Sequence, residues 1–319
     1  MTKTFALLGV GAAVPEQVRF NDDPVFEPLH RASARGEAEP ALFYGTRERR
    51  VLAPDESLTT LTARAGREAL KDAGLSTDAV ERLYGYVSVS EFITPNALYA
   101  VHQELGLGQG SLVIPVQADF TNFLMGVVLA WEAFRAGTLQ HALVAVGSGW
   151  TRHMDPGQGH AIGIGDGAGA AVVGAGERLV VMDWAADTFS GEYGAMTMAV
   201  RPGALAPTYG LTPTTGIQAF LSSGMQGPPR LVERLLDKHG ISPGDVTLIS
   251  HQATRKLMDH WASLIRPGEY LDTYADLGNM VHASIPVTLA RHHRALRTKY
   301  LVLLGLGIGA HQLALLVRV

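Results

Sequence analysis

Lys71-Asp-Ala-Gly-Leu-Ser-Thr-Asp-Ala-Val-Glu81 and Asp237-Lys-His-Gly-Ile-Ser-Pro-Gly-Asp-Val-Thr247 follow one local plan. Each is a helix end, a glycine stop and a loop that leads into a strand, Leu83–Val89 in one case and Val246–Ser250 in the other. A second pair follows in the same order. Gly137-Thr-Leu-Gln-His-Ala-Leu-Val-Ala-Val-Gly-Ser-Gly mirrors Arg297-Thr-Lys-Tyr-Leu-Val-Leu-Leu-Gly-Leu-Gly-Ile-Gly. Matched pairs in one order indicate a duplicated α/β unit whose halves meet near residue 175. We expect halves spanning 1–175 and 176–319.

The remaining periodicities agree with an α/β sheet protein. Phe5–Val10 reads as a strand ending at glycine, and Tyr84–Val89 as the next strand. Ser57–Ala73 reads as a helix with a hydroxyl cap and an apolar stripe. Phe123–Ala136 is a strongly apolar helix, buried on most sides, and Ala142–Val146 and Ala168–Val173 are buried strands. Asp22–Ala41 and Arg201–Pro229 read as long irregular loops, a length that usually signals function or mobility. They are placed to line a substrate channel or cover a partner surface.

The chain has 319 residues, 47% hydrophobic and 18% charged, enough for a well-buried core. A net charge of −4 gives no global basic field for nucleic acid, although Thr46–Arg50 (TRERR) is a local basic run. The absence of cysteine excludes disulfides, cysteine-ligated zinc and thiolate catalysis. The opening MTKTFALLGVGAAVPE lacks the basic and long apolar regions of a signal peptide. No stretch approaches the roughly 20 apolar residues of a membrane span, so we expect a soluble cytoplasmic protein.

Several motifs carry a resemblance. Gly45-Thr-Arg-Glu-Arg-Arg-Val-Leu-Ala-Pro-Asp-Glu, Gly165-Asp-Gly-Ala-Gly-Ala-Ala, His251-Gln-Ala-Thr, Gly278-Asn-Met-Val-His-Ala-Ser-Ile-Pro and Leu304-Gly-Leu-Gly-Ile-Gly occur in that order. Together they resemble the ketoacyl-ACP synthase III enzymes of the thiolase superfamily, over nearly the whole chain. The resemblance implies a duplicated five-layer αβαβα thiolase fold, a homodimer, no cofactor and no metal. It also implies a Cys-His-Asn catalytic set, in which His251 and Asn279 hold the last two places. The cysteine place falls in Val116-Gln-Ala-Asp-Phe-Thr-Asn-Phe-Leu-Met-Gly, at Phe120, or at Asp119 under a one-residue slip. Neither residue can form the family's cysteine thioester.

The backbone chemistry of such a site survives the loss of sulfur. By the resemblance, the amides of Phe120 and Gly307 form the oxyanion hole at a helix N-terminus. His251 can act as general base or hydrogen-bond donor and Asn279 as donor. Three readings remain open. One is direct acyl transfer from a carrier-bound thioester to a hydroxyl or amine, without an acyl-enzyme. Another is a non-catalytic subunit that supports a cysteine-bearing paralogue. The third is decarboxylation of a malonyl thioester through an enolate. Retention of His251 and Asn279 favours catalysis, whereas a bulky Phe120 at the reaction centre argues against it.

Plainer readings stand beside these. His251 can be a satisfied core histidine, and Asn279 can bond backbone in a tight turn. His282 and His311 are pocket residues or plain structure, and His292-His293 lacks the spacing of a metal site. Asp119 is a base or a helix cap, and Ser148–Trp150 and Arg152–Asp155 read as loops near the pocket. The family places that bind coenzyme A fall at Glu39, Phe43 and Gln158, none of which suits an anionic nucleotide. An acidic acyl carrier protein docking on Arg255 and Lys256 is therefore the expected partner.

Overall fold

The computed structural model describes residues 3–36, 43–200, 207–212, 215–308 and 311–319. Its strands, in chain order, are β1 (Phe5–Ala13), β2 (Val18–Phe20), β3 (Glu48–Arg50), β4 (Arg82–Ser88), β5 (Leu112–Pro115), β6 (His141–Ser148) and β7 (Gly167–Ala175). They continue as β8 (Val180–Thr188), β9 (Met196–Ala199), β10 (Thr208–Leu211), β11 (Val246–Ser250), β12 (Glu269–Tyr270), β13 (Tyr300–Leu306) and β14 (His311–Arg318). The helices are α1 (Glu27–Ala34), α2 (Leu58–Ala73), α3 (Leu98–Leu105), α4 (Asn122–Arg135), α5 (Thr215–Ala219), α6 (Met225–His239), α7 (Arg255–Ile265), α8 (Tyr274–Leu277) and α9 (Ser284–His292).

Ten strands run in the order β12-β11-β13-β14-β8-β1-β7-β6-β4-β5. Read outward from the centre, β8-β14-β13-β11-β12 repeats β1-β7-β6-β4-β5. The segments that mirror one another in sequence take equivalent places, β4 with β11 and β6 with β13. The two five-strand sets touch through little more than the Ala6–Val180 pair and the Leu7 N–H to Leu179 O bond of 3.0 Å. The chain thus stacks as five layers. Helices α2 and α3 cover one outer face, α4 and α9 lie between the sheets, and α6 and α7 cover the other outer face.

Local chemistry explains the helix bounds. The Ser57 hydroxyl accepts the Thr60 N–H, capping α2 as its sequence predicts. Both α2 and α6 stop at a left-handed glycine, Gly74 and Gly240, which is the physical content of the repeat. The middle helix α4 buries Phe123, Leu124, Val127 and Val128 against both sheets.

Two sequence expectations need correction. Asp22–Ala41 contains α1, because Asp23 caps the preceding turn and Pro28 sits in the first helical turn, where its missing N–H costs nothing. Arg201–Pro229 holds β10, α5 and the start of α6, with a π-helical turn at Phe220–Gly224 just before Pro228 and Pro229. The run Thr46–Arg50 is not a basic surface. Arg49 is fully buried and donates to Asn21 Oδ1 and the Ile162 carbonyl, and to Thr46 Oγ1 at 3.0 Å. Burial lowers its pKa to about 10. Arg47 pairs with Asp276. Among the described residues no helix is long and apolar enough to cross a membrane.

Candidate active site

His251 leaves the C-terminal end of β11, where its N–H bonds the Leu304 carbonyl at 2.7 Å. Thr254 then caps α7 by accepting the Leu257 N–H at 3.1 Å. Asn279 comes from the other side of the site. Its N–H donates to Gly163 O at 2.7 Å and its carbonyl accepts the Gly165 N–H at 3.0 Å, tying it beside the strand turn that starts β7. Gly278 is required there. Its φ is +66°, and a Cβ would lie 2.6 Å from the Gly163 carbonyl oxygen.

Val281 orders the Asn279 side chain and lies beside His251. Its N–H donates to Asn279 Oδ1 at 2.8 Å, which leaves Nδ2 without an acceptor among the described residues. A backbone hydrogen bond from Val281 also favours the protonated His251 ring, so the accepting group is the Val281 carbonyl. A neutral imidazole that spends its one N–H there keeps a lone pair on the other nitrogen. Burial, with His282 nearby, lowers the His251 pKa to about 4.

Phe120 stands just before α4, and both Asp119 and Phe120 have positive φ, 40° and 84°. This sharp turn delivers the Phe120 side chain into the site. Its ring lies against His251 and meets Trp150 edge-on at 5.0 Å. Asp119 does not cap α4, whose N-cap is Thr121. It is exposed, near Tyr86 and His311.

His251, Asn279, Phe120 and Gly307 all line one cavity of about 190 Å³. Its other walls include Trp150 from a loop that the sequence placed near the pocket, Tyr209, Leu221 and Ser223 from the stretch read as a channel-lining loop, and His160 and Glu192, which the sequence did not single out. Trp150 follows the C-terminal end of β6, a position where open α/β sheets gather ligand contacts. His160 and Glu192 lay in segments without a motif.

The oxyanion-hole expectation fails for the two amides named. The Phe120 N–H donates to Asn122 Oδ1 at 2.9 Å, and the Gly307 N–H to the His311 carbonyl at 2.7 Å. Gly307 is held close instead, for its Cβ would fall 1.9 Å from the Asp119 carbonyl oxygen. The next residue, Ile308, lines the cavity, and its N–H has no acceptor among the described residues.

Arg255 is likewise committed. Its guanidinium pairs with both Asp272 oxygens at 2.7 and 3.0 Å, which removes it from a free docking patch, while Lys256 stays exposed. His282 is buried with Nε2 on the Gly147 carbonyl at 2.7 Å, and His311 Nδ1 meets Thr188 Oγ1 at 3.1 Å; neither lines the cavity. His293 pairs with Asp72 at 3.2 Å. Phe43 lines the cavity, Gln158 is exposed, and Glu39 lies outside the described residues.

Residues 115–188 match the family model of 3-oxoacyl-[acyl-carrier-protein] synthase III, and residues 236–319 match that of its C-terminal part. The chain belongs to the 3-oxoacyl-[acyl-carrier-protein] synthase III family. It is 29% identical to the β-ketoacyl-[acyl-carrier-protein] synthase III of Gloeobacter violaceus, covering 98% of this chain and 97% of that one. The FabH structure from Pseudomonas aeruginosa PAO1 superposes with a TM-score of 0.85 at 26% identity, over 99% and 98% of the two chains. The priming β-ketosynthase of the R1128 polyketide pathway shares the fold, with a TM-score of 0.87 at 21% identity over 99% and 96%. Within this family the chain is a condensing-enzyme homologue without a cysteine.

Proposed function

We propose that this protein is a synthase III-like acyltransferase that works on a carrier-bound acyl thioester without an acyl-enzyme, in polyketide or other specialised metabolism. The observation that carries the reading is the one apolar cavity that His251, held neutral by burial, and the Asn279 amide both line. The free nitrogen of His251 accepts the proton of a hydroxyl or amine as that group attacks the thioester carbonyl carbon. Asn279 Nδ2 donates to the carbonyl oxygen as negative charge builds on it. The tetrahedral intermediate collapses with C–S cleavage, and His251 returns its proton to the departing thiolate. No cofactor enters this sequence.

The acyl carrier protein in the relatives' names supports a carrier thioester as donor. The exposed Lys256 beside the His251 motif offers a cation to an acidic carrier. We further propose a cytoplasmic homodimer. Strand β5 forms a sheet edge with Leu112 exposed, and Phe92 and Ile93 project from the loop after β4.

The test incubates the purified protein with a panel of acyl-carrier thioesters and acceptor alcohols or amines, with products read by mass spectrometry. Transfer in the wild type that disappears in a folded His251→Ala variant supports the reading. A stable acyl adduct on any side chain refutes the direct step. Carbon dioxide release from malonyl-carrier alone moves the chemistry to decarboxylation. Activity that appears only when a cysteine-bearing paralogue co-purifies assigns this chain a supporting role.

A further inference from the structure

His282 is buried within a few residues of Asn279, yet the transfer step makes no use of it. It belongs to the single turn Val281–Ala283, which leads into α9. That turn is held in a strained shape. Val281 has a φ of 51°, a left-handed value that is an outlier for a β-branched side chain. Such a conformation persists only where its surroundings over-determine it.

Several bonds supply the restraint. The Val281 N–H donates to Asn279 Oδ1 at 2.8 Å, and the Met280 N–H donates to Ser284 Oγ at 2.9 Å. Both stay within the turn and the first residue of α9, so neither fixes where the turn sits in the molecule. On the N-terminal side that is done by Asn279 itself, through its backbone bonds to Gly163 and Gly165. On the C-terminal side it is done by His282, whose Nε2 meets the Gly147 carbonyl of β6 at 2.7 Å across 135 residues of sequence. A carbonyl only accepts, so Nε2 carries the proton. Burial lowers the His282 pKa to about 4, which leaves the ring neutral with that one N–H committed. Tyr86 of β4 packs against it edge-on, with ring centroids 6.0 Å apart. A charge on His282 opposes protonation of His251, so the two rings stand near one another.

We infer that His282 is a positioning residue: its bond to Gly147 clamps the strained Val281 from the C-terminal side, and so holds the Asn279 amide toward the cavity beside His251. The inference rests on the acyl-transfer reading of that cavity and adds a residue to it.

Two variants and the wild type test it. His282→Leu fills much of the buried space without a donor, and His282→Gln returns an N–H at similar reach. Kinetics use the acyl-carrier thioester and acceptor that the wild type turns over fastest in the panel. In His282→Leu, kcat per folded molecule falls about 10- to 100-fold while KM for the thioester stays within about twofold, because a displaced Asn279 weakens the chemical step more than binding. His282→Gln recovers most of the rate. Hydrogen exchange by NMR is read on the same proteins without turnover. The Val281 N–H exchanges at least about tenfold faster in His282→Leu than in the wild type, and near the wild-type rate in His282→Gln. In the wild type alone, the His282 ring N–H and the Val281 amide share one level of protection, which decides the point even if the Leu variant fails to fold. A merely structural His282 lowers the melting temperature and leaves kcat per folded molecule unchanged, and that result overturns the inference. So does a Val281 amide whose protection is independent of His282. A wild type that turns over no member of the panel refutes the transfer reading, and the exchange rates then decide separately whether His282 clamps the turn.

Discussion

The rings of Phe120 and His251 lie 12° from parallel with their centroids 6.0 Å apart. The benzyl group therefore occupies the ground in front of the histidine, which is where an enzyme with a cysteine at this turn would present its sulfur. The turn holds Phe120 at a φ of 84°, which a β-carbon tolerates poorly.

Phe120→Cys puts a thiol beside His251 on the same turn. The variant should gain the mass of an acyl group when incubated with an acyl thioester, and the wild type should not. Intact-protein mass spectrometry reads the difference, and the gain should be lost in the Phe120→Cys, His251→Ala double variant. An unmodified Phe120→Cys protein would show that the turn no longer activates a nucleophile.

The pH dependence follows from three histidines held at about 4: His160, His251 and His282. Unfolded, each titrates near 6.5, so the unfolded chain binds more protons between those values. Stability is complete above about pH 6.5 and falls as pH drops toward 4, with a ceiling of about 1.4 kcal/mol per histidine per pH unit. Urea titrations across that range should show the midpoint falling. If transfer uses neutral His251, the acid limb of kcat/KM should lie near 4 and not near 6.5.

Gly278→Ala forces a methyl against the Gly163 carbonyl oxygen at a φ of +66°. The cost should be about 1–3 kcal/mol. Because Asn279 N–H bonds that same carbonyl, the displacement should lower turnover more than a stability loss of that size explains. Chemical denaturation and single-turnover rates on the folded variant check both statements.

Asp166 is fully buried in the strand turn before β7, and burial pushes its carboxyl pKa up. It accepts the Leu52 N–H at 2.9 Å, the Thr151 N–H at 3.0 Å and the Thr151 hydroxyl. Asp166→Asn sets an amide donor against these donors and should destabilise by about 1–3 kcal/mol. A thermal melt reads this directly.

Ile93 is fully exposed, next to Phe92 in the loop after β4. Ile93→Asp should move a homodimer toward monomer in light scattering, with the circular dichroism spectrum unchanged. An unaltered dimer would place the interface elsewhere.

Much of the layer plan was legible because it rests on local rules. Gly74 and Gly240 stop equivalent helices, Ser57 caps α2, and the apolar runs of β6, β7 and β11 are buried on both faces. His160 and Glu192 were missed because each reaches the cavity from a different segment, with no spacing that links them. The Arg255–Asp272 pair was illegible for the same reason, since its partners stand apart in sequence and meet only in space.

The amino-acid order by itself determined the duplicated α/β plan, the family motifs and the absence of sulfur, since periodicity, glycine stops and composition act within a few residues. Only the tertiary structure decided that Phe120 and not Asp119 enters the cavity, that the Phe120 and Gly307 amides are already bonded, and that His251 and Asn279 line one cavity. Those outcomes depend on which distant backbone groups come within hydrogen-bond reach, and packing of the two sheets against α4 and α9 sets that distance.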